Sequence, residues 1–290
     1  MPSLDRILLP VDFSGRCQGA VRYSEALAAQ FGSELTLLHV LPPPHYEFSA
    51  LEVGGSVLNE LFASRAAHVR KELNSYMERE LQDVVVKRVL LEGDPARCIV
   101  GHAHAERVGL IVMPTHGYGP FRRFILGSVT AKVLHDADCP VLTGVHLEEA
   151  PPIESIAFRN VLAAIDLGDQ SARTLEWANW MASSCGARLH LVHVTASIEG
   201  HAGEYHDPEW RDHLAGQVRV EIAKLEQCAG TKAELIVESG DAPKVICKLA
   251  EQIKADMLVI GRGSAAGVFG RLRTNAYAII RESPCPVASV

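Results

Sequence analysis

The chain of 290 residues has no apolar run near the ~20 residues that a membrane helix needs. Its N-terminus, MPSLDRILLPVD, lacks the charged start, long apolar stretch and cleavage site of a secretory signal. A cytoplasmic protein is expected, with no membrane partner. A dense lysine and arginine run is missing too. The formal net charge is -7 and the pI about 6.0, the wrong sign for gripping nucleic acid or an anionic lipid surface. The 7 cysteines (17, 98, 139, 185, 228, 247 and 285) are scattered, without a Cys-x-x-Cys pair, and read as reduced structural thiols. Absence of G-x4-G-K-[ST] excludes a P-loop enzyme. Absence of G-x-S-x-G leaves a hydrolase triad without its nucleophile.

What is present is a duplication. Arg6-Ile-Leu-Leu-Pro-Val-Asp12 is answered by Asn160-Val-Leu-Ala-Ala-Ile-Asp166, and the spacing of 154 residues persists through Gly32 and Gly186 and through His39-Val40 and His193-Val194. It then shrinks to 147 at Gly93-Asp94 and Gly240-Asp241, and to 146 at Cys139-Pro140-Val141 and Cys285-Pro286-Val287. A fixed offset with one small indel marks two copies of one unit, not a solenoid of short repeats. The units span 1–146 and 159–290, and the Pro- and Glu-rich stretch 147–158 reads as their linker.

Each unit alternates strand and helix. The first has Leu-, Ile- and Val-rich runs near 5–11, 34–40, 84–91, 109–114 and 140–145, as expected of strands covered on both faces. Ala20, Tyr23, Ser24, Leu27 and Ala28 make a helical stripe ended by Gly32. Asp94-Pro95 opens the third helix, Asp as cap and Pro in the first turn, and Asp241 with Pro243 does the same in the second unit. The fold class is α/β: two tandem doubly wound units, each a five-stranded parallel sheet with helices on both faces.

Ligands of such sheets sit at the carboxyl ends of the strands, where strand order reverses. The first strand ends at Asp12, and the fourth at Met113-Pro114-Thr115-His116-Gly117. The following loop reaches Gly127-Ser128, where a helix begins with Val129-Thr130. A glycine-containing loop feeding a helix N-terminus suits phosphate, and Asp12 can accept from ribose hydroxyls.

These residues carry a resemblance. Universal stress proteins that bind ATP show G-x2-G-x9-G-[ST] here, and this chain has Pro114-x2-Gly117-x9-Gly127-Ser128. The strand-ending Asp12, His39-Val40 and the Cys-Pro-Val-Leu strand also resemble that family, whose pattern covers the chain twice. The resemblance implies an adenine nucleotide, ATP or AMP, with or without Mg. Asp12 would meet the ribose, Val40 the adenine, and Gly117, Gly127 and Ser128 the phosphates. Pro10, Val11, Met113, His116, Val129 and Thr130 occupy matching positions.

Two departures qualify that. Pro114 stands for the first glycine and has no N–H to offer. In the second unit Asp166, Val194 and Gly261 are kept, but Ser264 replaces the second glycine and Thr274-Asn275 replaces Gly-Ser. That unit is the degenerate one. Asp166, Val194, Gly261, Gly263 and Asn275 are its remaining candidates.

Other patterns point less far. Gly261-x-Gly263-x-x-Ala266 matches a loose dinucleotide fingerprint but follows the fourth strand of its unit, not the first. His201, Glu204, His206, Asp207 and His213 lack zinc-site spacing and read as a solvated loop and first helical turn. His102 and His104 read as surface residues. Arg122 and Arg123 either hold phosphate or lie on an exposed loop, and the turn-rich stretch from Pro42 to Gly55 is either a flap or a surface connection.

Three functions follow. One is a non-enzymatic, nucleotide-responsive stress protein whose two units form an internal dimer through 140–145 and 286–290, with a homodimer as a further assembly. Another is a slow ATPase, with His116 as the only candidate base. The third is a nucleotide-free scaffold acting through protein partners.

Overall fold

The computed structural model describes residues 2–42, 55–115, 126–148, 152–195, 208–262 and 274–290. The first lobe runs β1 (Arg6–Pro10), α1 (Cys17–Phe31), β2 (Glu34–Leu41), α2 (Gly55–Ser75), β3 (Val86–Glu92), α3 (Pro95–Ala105), β4 (Leu110–Val112), α4 (Ser128–Asp136) and β5 (Val141–Thr143). The second repeats it as β6 (Asn160–Ile165), α5 (Ser171–Cys185), β7 (Arg188–Thr195), α6 (Pro208–Ala229), β8 (Glu234–Ser239), α7 (Ala242–Gln252), β9 (Met257–Ile260), α8 (Thr274–Glu282) and β10 (Val287–Ser289).

Local chemistry sets the boundaries. Helix α1 stops at Gly32, whose φ of 66° is left-handed backbone that glycine adopts without penalty. The Asp94 carboxylate accepts from the Arg97 amide at 3.0 Å, and Asp241 accepts from Lys244 at 3.2 Å, so both predicted caps close the helix they precede.

The strands join into one sheet of order β3-β2-β1-β4-β5-β10-β9-β6-β7-β8. Pairing within each lobe is parallel, whereas β5 and β10 run antiparallel, Thr143 opposite Val287 and Val141 opposite Ser289. The internal pairing expected through 140–145 and 286–290 is therefore made over three residues of each strand. Alternate strand residues point to opposite sides. Ile7, Leu9, Leu35 and Leu37 meet α1 and α2 on the face that also carries α5 and α6. Leu8, Leu38 and Ile111 meet α3 and α4 on the face that carries α7 and α8.

Both core layers continue across the lobe boundary. On one of them Phe31 of α1 stacks on Trp180 of α5, ring centroids 5.3 Å apart. The connecting stretch does not hang free: Leu147 and Phe158 are buried in the α1/α5 layer, and Phe158 lies against Tyr23. No helix among the described residues is long and apolar enough to cross a membrane.

The seam generates a prediction. Leu142 on β5 is fully buried opposite Ala288. Leu142→Ala is expected to cost about 2–5 kcal/mol. All 3 tryptophans lie in the second lobe, at 177, 180 and 210. Urea unfolding followed by tryptophan fluorescence should therefore report a lower midpoint although the change is in the other lobe. An unmoved midpoint would mean that the lobes unfold separately.

Candidate functional site

The strand order reverses between β1 and β4 in the first lobe and between β6 and β9 in the second. At the carboxyl ends of these strands the first lobe opens into a cavity of about 720 Å³. Ten of the residues singled out from the sequence line it: Pro10, Val11, Asp12, Val40, Met113, Pro114, Gly127, Ser128, Val129 and Thr130. His116 and Gly117 fall outside the described residues, as do Arg122, Arg123, the stretch 43–54, Gly263 and residues 201–207 of the His-rich cluster.

The floor is built by a turn after β1. The Ser14 amide and the Cys17 thiol donate to Asp12 Oδ1 at 3.0 and 3.2 Å. Between them Phe13 sits at φ 61°, a left-handed conformation unfavourable for an aromatic residue. It persists because the Asp12 turn closes around it and its ring stacks on His39 at 4.4 Å. His39 is held in turn by a 2.7 Å bond between Nδ1 and the Val11 carbonyl, which makes Nδ1 the protonated nitrogen. Burial, and then the Asp12 charge, push the Cys17 thiol up to about 12, so it is a hydrogen-bond donor and not a nucleophile.

The far wall is the first turn of α4. The Gly127 amide donates to Thr115 O at 2.9 Å, and the Thr130 hydroxyl to Pro114 O at 3.1 Å, tying the helix start to the end of β4. The positive end of the helix is thereby presented to the cavity. Pro114 supplies the carbonyl that Thr130 meets and has no N–H to offer the cavity.

Several walls were not anticipated: Phe13, Cys17, Arg65, Val69, Pro95 and Ile99. Ile99 follows from the Asp94-Pro95 cap, which places the first turns of α3 beside the ends of the strands. Arg65 and Val69 share the i, i+4 spacing of one face of α2, a signal present in the sequence but without direction until α2 is placed.

The second lobe repeats the turn and lacks the room. Asp166 Oδ1 accepts from the Gly168 amide and the Ser171 hydroxyl at 2.9 and 3.3 Å. Leu167 has φ 60°, and His193 bonds the Ile165 carbonyl at 2.9 Å. Yet the cavity lined by Asp166, Val194, Gly261 and Asn275 measures about 200 Å³. That is below the ~300–1,000 Å³ usual for small-molecule sites. A Cβ on Gly261 would meet Thr174 Oγ1 at 2.9 Å, so packing against α5 already accounts for this glycine. The equivalent positions of the first lobe hold Pro114 and Ala20, the smaller residue now on the helix.

Among the described residues no cluster of three or more His, Cys, Asp or Glu side chains could hold a metal. His104 is exposed as expected, but His102 is not a surface residue in full. Its Nε2 is shielded, and burial pulls its pKa down.

The universal stress protein family model matches the chain twice, over residues 3–143 and 157–290. The chain belongs to the universal stress protein family. A universal stress protein of Mycolicibacterium smegmatis is 24% identical over 285 residues, covering 96% of this chain and 93% of its own length. The universal stress protein MJ0577 of Methanocaldococcus jannaschii is 32% identical over 149 residues, 47% of this chain and 92% of its own. The crystal structure of a universal stress protein from Archaeoglobus fulgidus shares the fold, with a TM-score of 0.67 at 24% identity over 99% of this chain and 96% of that one. This universal stress protein therefore holds two copies of the family unit that MJ0577 matches once.

The thiols supply a test of the site. Cys228 is exposed, whereas Cys17 and Cys285 are buried with thiols pushed up to about 12. At pH 8 iodoacetamide should modify Cys228 and spare Cys17 and Cys285 until urea is added, as read by peptide mass spectrometry. Rapid modification of Cys17 in the folded protein would contradict the closed Asp12 turn.

Proposed function

We propose that this universal stress protein binds an adenine nucleotide, ATP or AMP, in its first lobe and acts through that binding rather than by catalysis. The second lobe, degenerate at the phosphate end, is its structural partner. The observation that carries the reading is the cavity of about 720 Å³, which gathers ten of the residues the family pattern singles out. In this reading the base lies at Val40, the ribose at Asp12, and the phosphates at Gly127 and the Ser128 end of α4, with the helix dipole behind them. The Gly127 amide itself is already given to the Thr115 carbonyl. Mg would ride on the phosphates, not on a protein cage. The lobes so assigned are 1–146 and 159–290, joined by 147–158, in a cytoplasmic protein. A second copy of the chain is the remaining assembly partner.

A nucleotide-free scaffold is the second reading, favoured by Pro114 and by Thr274-Asn275 in place of Gly-Ser. Adenine nucleotide released on denaturing the purified protein, and a melting shift with Mg-ATP, are expected of a binder. A ligand at 100 times its Kd adds roughly 2.7 kcal/mol of stability. Gly127→Arg, which fills the phosphate end, and Asp12→Ala should each abolish the shift. No released nucleotide and no shift in the wild type leave the scaffold. Turnover of ATP lost in His116→Ala would instead favour the slow ATPase.

A further inference from the structure

The side chain that follows Gly261 leaves its own lobe. Arg262 Nη1 donates to the carbonyl oxygens of Leu134 at 3.3 Å and Ala137 at 2.8 Å, and Nη2 donates to that of Cys139 at 2.7 Å. All three belong to the C-terminal end of α4 and the turn after it, in the first lobe. Arg262 is only 4% exposed, and its own amide is anchored to the Val290 carbonyl at 3.1 Å. The last carbonyls of a helix have no partner within it and carry its negative end. A guanidinium meets both needs, with several donors in a fixed fork and a charge that is never lost.

The matching residue of the first lobe, Thr115, does something else: its hydroxyl donates to Glu148 of the connecting stretch at 3.0 Å and reaches no residue of the second lobe in that bond. The end of α8 is met across the seam by His146, whose Nε2 lies 2.9 Å from the Ser283 carbonyl. Each terminal helix is thus held by the opposite lobe, but α4 is held by a buried cation with three bonds.

We propose that Arg262 is a positioning residue for the first-lobe cavity, holding α4 from behind so that its first turn keeps its place as the cavity wall. Helix α4 has nine residues, Ser128–Asp136. It is therefore a rod of about 13 Å. Thr130 and Gly127 fix its front end to the end of β4, and Arg262 fixes its back end. A rod so short cannot shift at one end without tilting at the other. The residue that follows Gly261 in the second lobe thus serves as a brace on the first. The reading of the cavity as a nucleotide site is used only in the binding half of the test.

The test uses the full chain with Arg262→Met, which keeps the buried stem and removes the donors, and Arg262→Lys, which restores the cation. Backbone hydrogen exchange in α4 should rise about tenfold in the Met variant, with α1 and α6, on the other face of the sheet, unchanged as internal controls, and return most of the way in the Lys variant. Mg-ATP affinity, measured well below the melting temperature, should fall about three- to tenfold in the Met variant and recover in the Lys variant. Unchanged α4 exchange in the Met variant overturns the proposal, and so does wild-type affinity in that variant when the wild type binds. A wild type that binds no nucleotide defeats the nucleotide reading alone, and α4 exchange then decides whether Arg262 positions the helix. Should Arg262→Met not fold, Arg262→Gln takes its place, with raised α4 exchange expected and wild-type exchange overturning the idea.

Discussion

The antiparallel pairing of β5 with β10 is the contact on which the rest of the molecule depends. It is three residue pairs long and fully buried along Val141, Leu142 and Val287, Ala288. It removes an open edge from each five-stranded sheet, and such edges are costly to leave bare. It also sets the two lobes in an approximately twofold relation, which brings α1 against α5 and lays the end of α4 beside the loop after β9. Without that relation Phe31 would have no Trp180 to stack on, and Arg262 would have no helix end to reach.

Given the seam, the two lobes share a frame and differ in volume. The Asp turn, the left-handed residue after it and the histidine bonded to a strand carbonyl recur at Asp12, Phe13 and His39 and at Asp166, Leu167 and His193. Because the turn persists in the lobe with the small cavity, it belongs to the fold and is not by itself a mark of ligand binding. What separates the lobes is what fills the space above that turn.

Much of this was legible in the amino-acid sequence because the chemistry is local. Buried parallel strands are continuous apolar runs, Asp-Pro marks a helix start, and a duplication repeats both. Asp12 and Met113-Pro114 followed from the crevice of a doubly wound sheet, whereas Pro10, Val11, Val40, Val129 and Thr130 were singled out by the family resemblance. Arg65 and Val69 were not legible, because their place depends on how α2 lies over the sheet. Neither was the burial of Leu147 and Phe158 in a stretch whose prolines and glutamates suggested a linker. Arg262 was the least accessible: an arginine between two glycines after a strand looks like a turn residue, and its carbonyl partners lie more than 120 residues away in sequence.

The closeness of Gly261 to Thr174 has a consequence for which side chains the two lobes admit. Once a threonine occupies α5 at that point, any side chain at 261 is opposed by its hydroxyl, which is buried and bonded to the Gln170 carbonyl. With alanine at the corresponding place in α1, the first lobe accepts even proline. Neither arrangement converts to the other through a single substitution without a clash or a void on the way. Gly261 with Thr174, and Pro114 with Ala20, are therefore coupled pairs, each dividing the space of one side chain between a strand end and the helix behind it.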